Sequence, residues 1–314
     1  MNGFVLLDKP TGMTSRQAGG RVARLFGQKK FGHIGTLDPM ASGLLVIALG
    51  EATKMIPFLE NREQGTENIY YKEYLFSIRW GIRTDTGDIT GRVLEEDNYE
   101  LGIMNYELEK IVSEFPKEYD QMPPVYSAKK VGGVAAYKLA REGREVALKA
   151  KRVKIYELKV VAPTPAASPP PLPKGRGIAL WNNPLFLVRC SQGTYVRSLV
   201  QDIAERTGKI ATCDMIRRTA TNGFSVENAV PLEIVENMCN NSRADEIIHP
   251  LDFGLDDILV AKLETKDASA FSNGGFISFN GNGIRRVYSD DNFIGIGEIK
   301  DGVLKPKRVV KTTP

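Results

Sequence analysis

Short apolar runs alternate with turns rich in glycine and proline along most of the chain, and the periods of these runs predict both strands and helices. Continuous or alternating apolar patterns predict strands at residues 5–7, 44–49, 71–80, 152–161 and 185–190. Apolar residues at helical spacing predict helices at 15–26, 53–59, 106–115, 135–141 and 195–207. Because these strands and helices do not alternate in a regular βαβ order, we expect an α+β fold with a mixed, largely antiparallel central sheet.

A proline-rich stretch interrupts this pattern. Residues 163–177 contain six prolines, and such a segment cannot pair as a strand because proline has no amide donor. It lies between the strands predicted at 152–161 and 185–190. We therefore interpret it as an extended insertion and not as a domain boundary.

The chain changes character near His249-Pro250. Beyond this point, short alternating runs are separated by glycine turns, at 277–279, 285–288 and 294–299. This pattern predicts two domains, a large one over residues 1–249 and a small β-rich one over residues 250–314.

The composition is that of an ordinary globular protein of 314 residues, with 42% hydrophobic and 25% charged residues. No apolar run is long enough to span a bilayer, and the N-terminus has neither the basic region nor the cleavage site of a leader. We therefore expect a cytoplasmic protein without membrane contact. Three cysteines without paired spacing and only two histidines argue against a metal site.

Positive charge is concentrated in one segment. The formal net charge is only +4, but residues 126–159 contain ten Lys or Arg and three Glu. A local excess of this kind favours contact with a phosphate backbone. The alternative is a solvated surface whose charges are loosely paired.

Asp38 lies in a turn bounded by glycines, directly before the apolar run 44–49. Pro39 restricts Asp38 to extended geometry and removes the following amide donor. A carboxylate held stiffly at the end of a buried strand can act as a nucleophile or a general base. The alternative is an Asx-type turn in which the side chain caps its own backbone.

Five blocks of sequence, in order, resemble the TruB-type tRNA pseudouridine-55 synthases. The blocks are LLDKPTGMTS at 6–15, GHIGTLDP at 32–39, GIRTDTGD at 81–88, QMPPVYSA at 121–128 and SQGTYVRSL at 191–199. The second block contains Asp38, and its resemblance continues at residues 50–54, GEATK.

The resemblance implies an isomerase of the pseudouridine-synthase fold with a PUA-like, RNA-binding C-terminal domain. It would convert uridine 55 in the T-loop of tRNA to pseudouridine after flipping the base out of its stack. The reaction consumes no energy and involves no redox change, so we expect neither a cofactor nor a metal ion. The resemblance also implies a monomer that binds the T-arm stem-loop without an obligatory protein partner.

The resemblance also implies three catalytic residues. Asp38 matches the family's catalytic carboxylate, and Arg197 matches the arginine that pairs with it. Tyr74 matches the tyrosine that stacks on the target base and is a candidate for proton transfer. Taken alone, Arg197 could be a surface residue in the first turn of a helix, and Tyr74 an ordinary core aromatic.

Four further residues are predicted to bind the substrate. His33 matches the histidine that fills the space left by the flipped base, and its alternative is a loop histidine bonded to backbone. Ile216 matches an apolar residue against the uracil, although core packing explains it equally well. Lys9 would hold a phosphate or brace the Asp38 loop, and Tyr195 would pack the floor of the site.

Three other functions remain open at this point. One is an RNA-binding or tRNA-folding protein without catalysis on the same scaffold, and another is an RNA-guided synthase of the related H/ACA type. The third is a hydrolase that pairs Asp38 with Asp85 or Asp88, although we interpret those two residues as a turn that orients nearby arginines. The order of bond making, by a glycal or by a ring-addition route, is also open.

Overall fold

A computed structural model describes residues 1–60, 71–97, 105–127, 129–144, 146–161 and 185–311 of the chain. The insertion predicted at 163–177 lies outside these residues and stays a prediction. Among the described residues, no helix is long and apolar enough to cross a membrane.

The regular elements follow the predicted mixture of helices and strands. The helices are α1 (Ser15–Leu25), α2 (Ile56–Glu60), α3 (Asn105–Ser113), α4 (Ala136–Arg141), α5 (Val196–Arg206), α6 (Leu232–Asn240) and α7 (Thr265–Ser272). The strands are β1 (Gly3–Lys9), β2 (Phe31–Ile34), β3 (Ser42–Leu49), β4 (Lys72–Trp80), β5 (Ile82–Thr84), β6 (Val93–Glu96), β7 (Glu118–Gln121), β8 (Lys130–Val131), β9 (Val134–Ala135), β10 (Lys151–Val161), β11 (Leu185–Cys190), β12 (Ala211–Thr221), β13 (Phe224–Ser225), β14 (Val230–Pro231), β15 (Val260–Leu263), β16 (Ile277–Ser278), β17 (Gly283–Ser289), β18 (Asn292–Lys300) and β19 (Val303–Val309).

The central sheet has the order β14-β1-β3-β12-β4-β11-β10-β7, with β2 paired to β3 and β13 to β12. Among the described strand pairs of this sheet, β1–β14 and β3–β12 are parallel and the others antiparallel, so the sheet is mixed and largely antiparallel. The predicted α+β class is therefore confirmed. Every residue of β3 is buried, because this strand lies inside the sheet with core on both faces.

Local signals placed several elements well. Helix α1 begins after Thr14, whose hydroxyl accepts from the Gln17 amide while the Gln17 side chain accepts from the Thr14 amide, which is a capping box. The sequence pattern did not predict β12, although this strand lies at the centre of the sheet. Its residues do not alternate regularly between apolar and polar side chains, and several of the polar ones are buried.

The C-terminal strands form a second, five-stranded sheet in the order β15-β17-β18-β19-β16. This small β-rich unit is packed against the main sheet through one apolar cluster, in which Phe293 and Ile296 meet residues of β1 and β3. His249 exchanges two backbone hydrogen bonds with Phe4, of 2.9 and 2.7 Å. The boundary predicted between residues 249 and 250 stays a prediction.

Candidate active site

The Asp38 loop joins β2 to β3 and is pinned to the start of α1. The Ser15 hydroxyl accepts from the Leu37 amide at 2.7 Å and lies 3.0 Å from the Leu37 carbonyl. The Gly12 amide donates to the Pro39 carbonyl at 2.8 Å. These bonds hold the backbone on both sides of Asp38, so its carboxylate is presented from a fixed position.

The Asp38 carboxylate forms an ion pair with Arg197, whose Nε lies 2.8 Å from Asp38 Oδ2. Among the described residues, no hydrogen bond joins this carboxylate to the backbone of its own turn, so the structure does not support the Asx-turn alternative. The Asp38 side chain keeps 35% of its surface exposed, whereas that of Arg197 keeps 4%. The carboxylate therefore faces the opening and the guanidinium lies beneath it.

Arg197 is the second residue of α5 and is buried, not a surface residue. Its Nη1 donates to the Thr86 carbonyl at 2.7 Å, and its Nη2 donates to the Tyr126 carbonyl at 2.9 Å. Nη1 also lies 3.5 Å from Oδ2 of the buried Asp88. Two backbone carbonyls and two carboxylates thus fix the guanidinium.

Burial raises the pKa of Asp38, and the positive charges of Arg197 and Lys9 oppose that rise. The negative charge of Asp88 raises the pKa of Asp38 further. Asp38 is thus a carboxylate of increased basicity that depends on Arg197 for its charged form.

Asp88 lies in the tight turn after β5. Its Oδ1 accepts from the Thr90 amide at 3.0 Å, the Thr90 hydroxyl at 2.5 Å and the Thr86 hydroxyl at 3.1 Å. The interpretation of this turn as one that orients an arginine is confirmed for Asp88. Asp85 instead accepts from the Arg92 amide at 2.8 Å and closes the turn.

Tyr74 and Ile216 lie on adjacent strands and belong to the same apolar cluster as Leu37. Tyr74, on β4, is 6% exposed, and Ile216, on β12, is 4% exposed. Burial raises the pKa of Tyr74 to about 12, and the charge of Asp38 is among the smaller causes. The structure thus brings Tyr74 within electrostatic reach of Asp38.

Lys9 lies fully buried at the end of β1. Its ammonium donates to the Pro10 carbonyl at 2.8 Å and to the Met13 carbonyl at 2.7 Å. Burial lowers its pKa to about 8, although the charge of Asp38 opposes this. Both acceptors belong to the turn whose Gly12 amide donates to the Pro39 carbonyl, so Lys9 fixes a turn that contacts the Asp38 loop.

Tyr195 immediately precedes α5 and is half-buried. Its amide donates to Gln121 Oε1 at 2.8 Å, and its carbonyl accepts from Gln121 Nε2 at 3.2 Å. Burial raises the pKa of its hydroxyl, and Asp38 contributes to the rise. The sequence does not reveal this role of Gln121, because nothing local shows that its amide holds the start of the helix that carries Arg197.

His33 lies on β2 and is half-buried. Its Nδ1 is buried, with no hydrogen-bond partner in the described part of the chain. Burial lowers its pKa, and the charges of Arg218 and Arg16 contribute. Among the described residues, no hydrogen bond, ion pair or resolved electrostatic effect links His33 to Asp38, in contrast to Lys9 and Tyr74.

Two family models match the chain. A model described as "TruB family pseudouridylate synthase (N terminal domain)" matches residues 23–196. One described as "Pseudouridine synthase II TruB, C-terminal" matches residues 260–310.

Curated relatives match the whole chain. The chain is 35% identical to "tRNA pseudouridine synthase B" of Caulobacter sp. (strain K31), over 100% of this chain and 97% of the relative. It is 36% identical to the protein of the same name from Azoarcus sp. (strain BH72), over 99% and 96%. The protein of that name from Clostridioides difficile (strain 630) is also 36% identical, over 95% of each chain.

Solved structures show the same fold. One is an H/ACA ribonucleoprotein bound to a substrate RNA containing 2′-deoxyuridine, with a TM-score of 0.66 at 18% identity, over 99% of this chain and 85% of that chain. Another is a Cbf5-Nop10-Gar1 complex, with a TM-score of 0.66 at 20% identity, over 98% and 84%. The two matching models and the curated relatives, which are aligned over nearly the full chain, place this protein in the TruB family of pseudouridylate synthases.

Proposed function

We propose that this protein is a tRNA pseudouridine synthase that isomerises uridine 55 in the T-loop, with Asp38 as the catalytic carboxylate. The observation that carries the proposal is the ion pair between a partly exposed Asp38 and a buried Arg197, 2.8 Å apart. The names of the curated relatives support tRNA as the substrate. The choice of position 55 rests on the resemblance of the sequence blocks.

The reaction breaks the bond between uracil N1 and ribose C1′ and joins C5 of the uracil to C1′, after which C5 loses its proton. Positive charge develops at C1′ when the first bond breaks, and a carboxylate at this carbon stabilises it or forms a covalent adduct. In our proposal Asp38 supplies that carboxylate. Arg197 favours the charged form of Asp38 and fixes its direction.

The target uracil must leave its stack to reach Asp38, because the T-loop is folded. We propose that the flipped uracil lies between Tyr74 and Ile216, whose side chains border the Asp38 loop in one apolar cluster. Tyr195 would form the floor of the site. His33 would fill the space that the uracil leaves, since a flat and partly polar ring can replace a base in a stack.

The basic segment 126–159 is suited to bind the phosphates of the T-arm. Its first residue, Tyr126, contacts the Asp38–Arg197 pair, because the Tyr126 carbonyl accepts a hydrogen bond from Arg197. Most of its Lys and Arg side chains are exposed, although Arg152 lies 3.4 Å from Glu118 and 3.5 Å from Asp120, outside the segment. We expect tRNA binding to weaken as salt concentration rises.

The organisation of the chain completes the proposal. Residues 1–249 would form the catalytic domain and residues 250–314 a PUA-like domain that contacts RNA. We propose that the enzyme acts as a monomer in the cytoplasm, without a cofactor or an obligatory protein partner.

Chemical mapping of the product tests the proposed position. Unmodified tRNA transcripts would be incubated with the protein, treated with a carbodiimide that marks pseudouridine, and mapped by primer extension. We expect one stop, at position 55, and none in a transcript that carries cytidine there. A stop elsewhere would contradict the proposed position, and a tRNA that is bound but never marked would favour an RNA-folding role.

A further inference from the structure

Arg218 is a fully buried cation at the centre of the main sheet. Its Nε donates to the Leu44 carbonyl at 2.8 Å, and its Nη2 donates to the Gly35 carbonyl at 3.0 Å. Its Nη1 is buried without a hydrogen-bond partner among the described residues. No ion pair between described residues includes Arg218, so among these residues its permanent positive charge is buried without a carboxylate partner.

The strand register directs this charge towards Tyr74. Arg218 of β12 lies directly opposite Tyr74 of β4 in their antiparallel pair. Residues in such a position point to the same face of the sheet, with Cβ atoms about 5 Å apart. Since Ile216 lies on that face too, Arg218 adjoins both residues proposed to border the uracil.

Gly35 allows the guanidinium to lie against the loop that carries Asp38. A Cβ atom on Gly35 would lie 2.8 Å from Arg218 Nη1 and 3.2 Å from Lys72 Nζ, and the φ angle of Gly35 is +65°. A larger residue there would push the cation out of its place. The loop is therefore shaped around Arg218.

The groups that face Tyr74 from neighbouring elements change the pKa of its hydroxyl in opposite directions. Burial raises the pKa of Tyr74, and both Cys190 on β11 and Asp38 on its loop add to the rise. Arg218 alone among the resolved influences lowers the pKa of Tyr74, through its charge and a side-chain hydrogen bond. In turn, Tyr74 is the group that favours the charged form of Arg218.

We propose that Arg218 is a positioning residue that acts through Tyr74, by stabilising the phenolate that takes the C5 proton of the uracil. The Tyr74 hydroxyl first gives its proton to water, and its oxygen then accepts the C5 proton. The electron pair of the C5–H bond forms the C5–C6 double bond, the pair of the C6–N1 double bond moves to N1, and N1 takes up a proton from water. The guanidinium is aligned in advance by backbone carbonyls, so it stabilises the phenolate without reorganisation. This inference rests on the proposed isomerisation.

A double-mutant cycle on full-length protein tests the inference. Single-turnover tritium release from tRNA labelled at uridine C5 would be measured for Arg218→Met, Tyr74→Phe and the double variant. General bases contribute on the order of 100-fold or more, so we expect Tyr74→Phe and Arg218→Met each to lower the rate about 100-fold. If Arg218 acts through the Tyr74 hydroxyl, the double variant is no slower than Tyr74→Phe alone.

Two further variants separate charge from folding. Arg218→Lys keeps the buried charge but lacks the planar, forked guanidinium. We therefore expect its rate of tritium release to fall only about tenfold. Replacing every tyrosine by 3-fluorotyrosine, whose phenol is more acidic, should restore part of the rate that Arg218→Met loses. The same replacement should restore none of the rate in a protein that carries Tyr74→Phe. Where Arg218→Met does not fold, as judged by circular dichroism, the same cycle is run with Arg218→Lys.

Equal losses from the Arg218 variant in the native and Tyr74→Phe backgrounds would overturn the inference, because the arginine would then support the fold alone. A lysine variant as slow as the methionine variant would overturn it too. The proposed function fails differently, since the native protein itself would then release no tritium.

Discussion

Replacing Arg197 by methionine removes the cation on which the proposed catalytic carboxylate depends. Methionine is unbranched and apolar, so it replaces the aliphatic stem of arginine without the charged guanidinium. The change leaves Asp38 and Asp88 without the guanidinium that lies 2.8 and 3.5 Å from them. The Thr86 and Tyr126 carbonyls also lose their donors.

The size of the effect follows from these distances. With an effective dielectric constant of about 20, two unit charges 2.8 Å apart attract by about 6 kcal/mol. Solvent screens part of this, because 35% of the Asp38 side chain is exposed. Breaking buried ion pairs typically costs about 3–5 kcal/mol, so we expect Arg197→Met to lower the free energy of unfolding by about 3 kcal/mol.

The same loss should appear in the reaction and in its pH dependence. A loss of about 3 kcal/mol in the transition state lowers the rate about 100-fold. Burial raises the pKa of Asp38 and Arg197 opposes the rise, so without Arg197 that pKa rises further. We therefore expect the acidic limb of the rate profile to move to higher pH, with a larger loss at pH 6 than at pH 8.

Single-turnover tritium release between pH 5.5 and 9, together with urea unfolding, measures both effects. Arg286→Met is a matched control in the C-terminal unit, since Arg286 is largely buried and lies 3.1 Å from Asp256. The Arg286→Met variant should have a lower free energy of unfolding than the native protein, while the acidic limb of its pH–rate profile stays in place. An Arg197→Met protein with the native rate and acidic limb would refute the reasoning.

Three further predictions concern the groups around the site. The pKa of Lys9 is lowered to about 8 from 10.5, so the folded chain releases this proton at lower pH than the unfolded chain and gains stability as pH rises between these values. Urea unfolding at pH 7.5 and 9.5 should therefore show a gain for the native protein that Lys9→Met lacks. A Cβ on Gly43, at φ +98°, would lie 2.3 Å from a backbone oxygen of β12, whereas one on Gly12, at φ +86°, meets nothing within 4 Å. Thermal unfolding should show Gly12→Ala to cost about 1 kcal/mol and Gly43→Ala more than about 3 kcal/mol. Gln121→Leu frees the backbone of Tyr195 at the start of α5, so we expect a rate about tenfold lower with tRNA affinity unchanged in filter binding.

Features set by local sequence could be predicted well. The apolar run at 44–49 predicted the buried strand β3, since its continuous pattern indicates burial on both faces. The helix predicted at 15–26 is α1, which begins at Ser15 after the N-cap Thr14. The glycines and proline around Asp38 predicted a constrained turn, and the structure places one there.

Features that depend on distant residues could not be predicted in this way. Arg197 has the spacing of a surface residue in a first helical turn, and its burial depends on the carbonyl of Thr86, 111 residues away in the chain. Arg218 donates to Leu44, 174 residues away, and its place opposite Tyr74 depends on the register of β12. The sequence of a strand does not by itself show which other strand it pairs with, or in which register.

The most direct test of the central claim is tritium release from tRNA labelled at uridine C5, by the native protein, Asp38→Asn and Asp85→Asn. Asp85→Asn is the matched control, because this carboxylate only closes a turn on the Arg92 amide. We predict release by the native protein and by Asp85→Asn, and none by Asp38→Asn even when it binds tRNA as tightly. Equal release by the native protein and Asp38→Asn would contradict the assignment of Asp38 as the catalytic carboxylate.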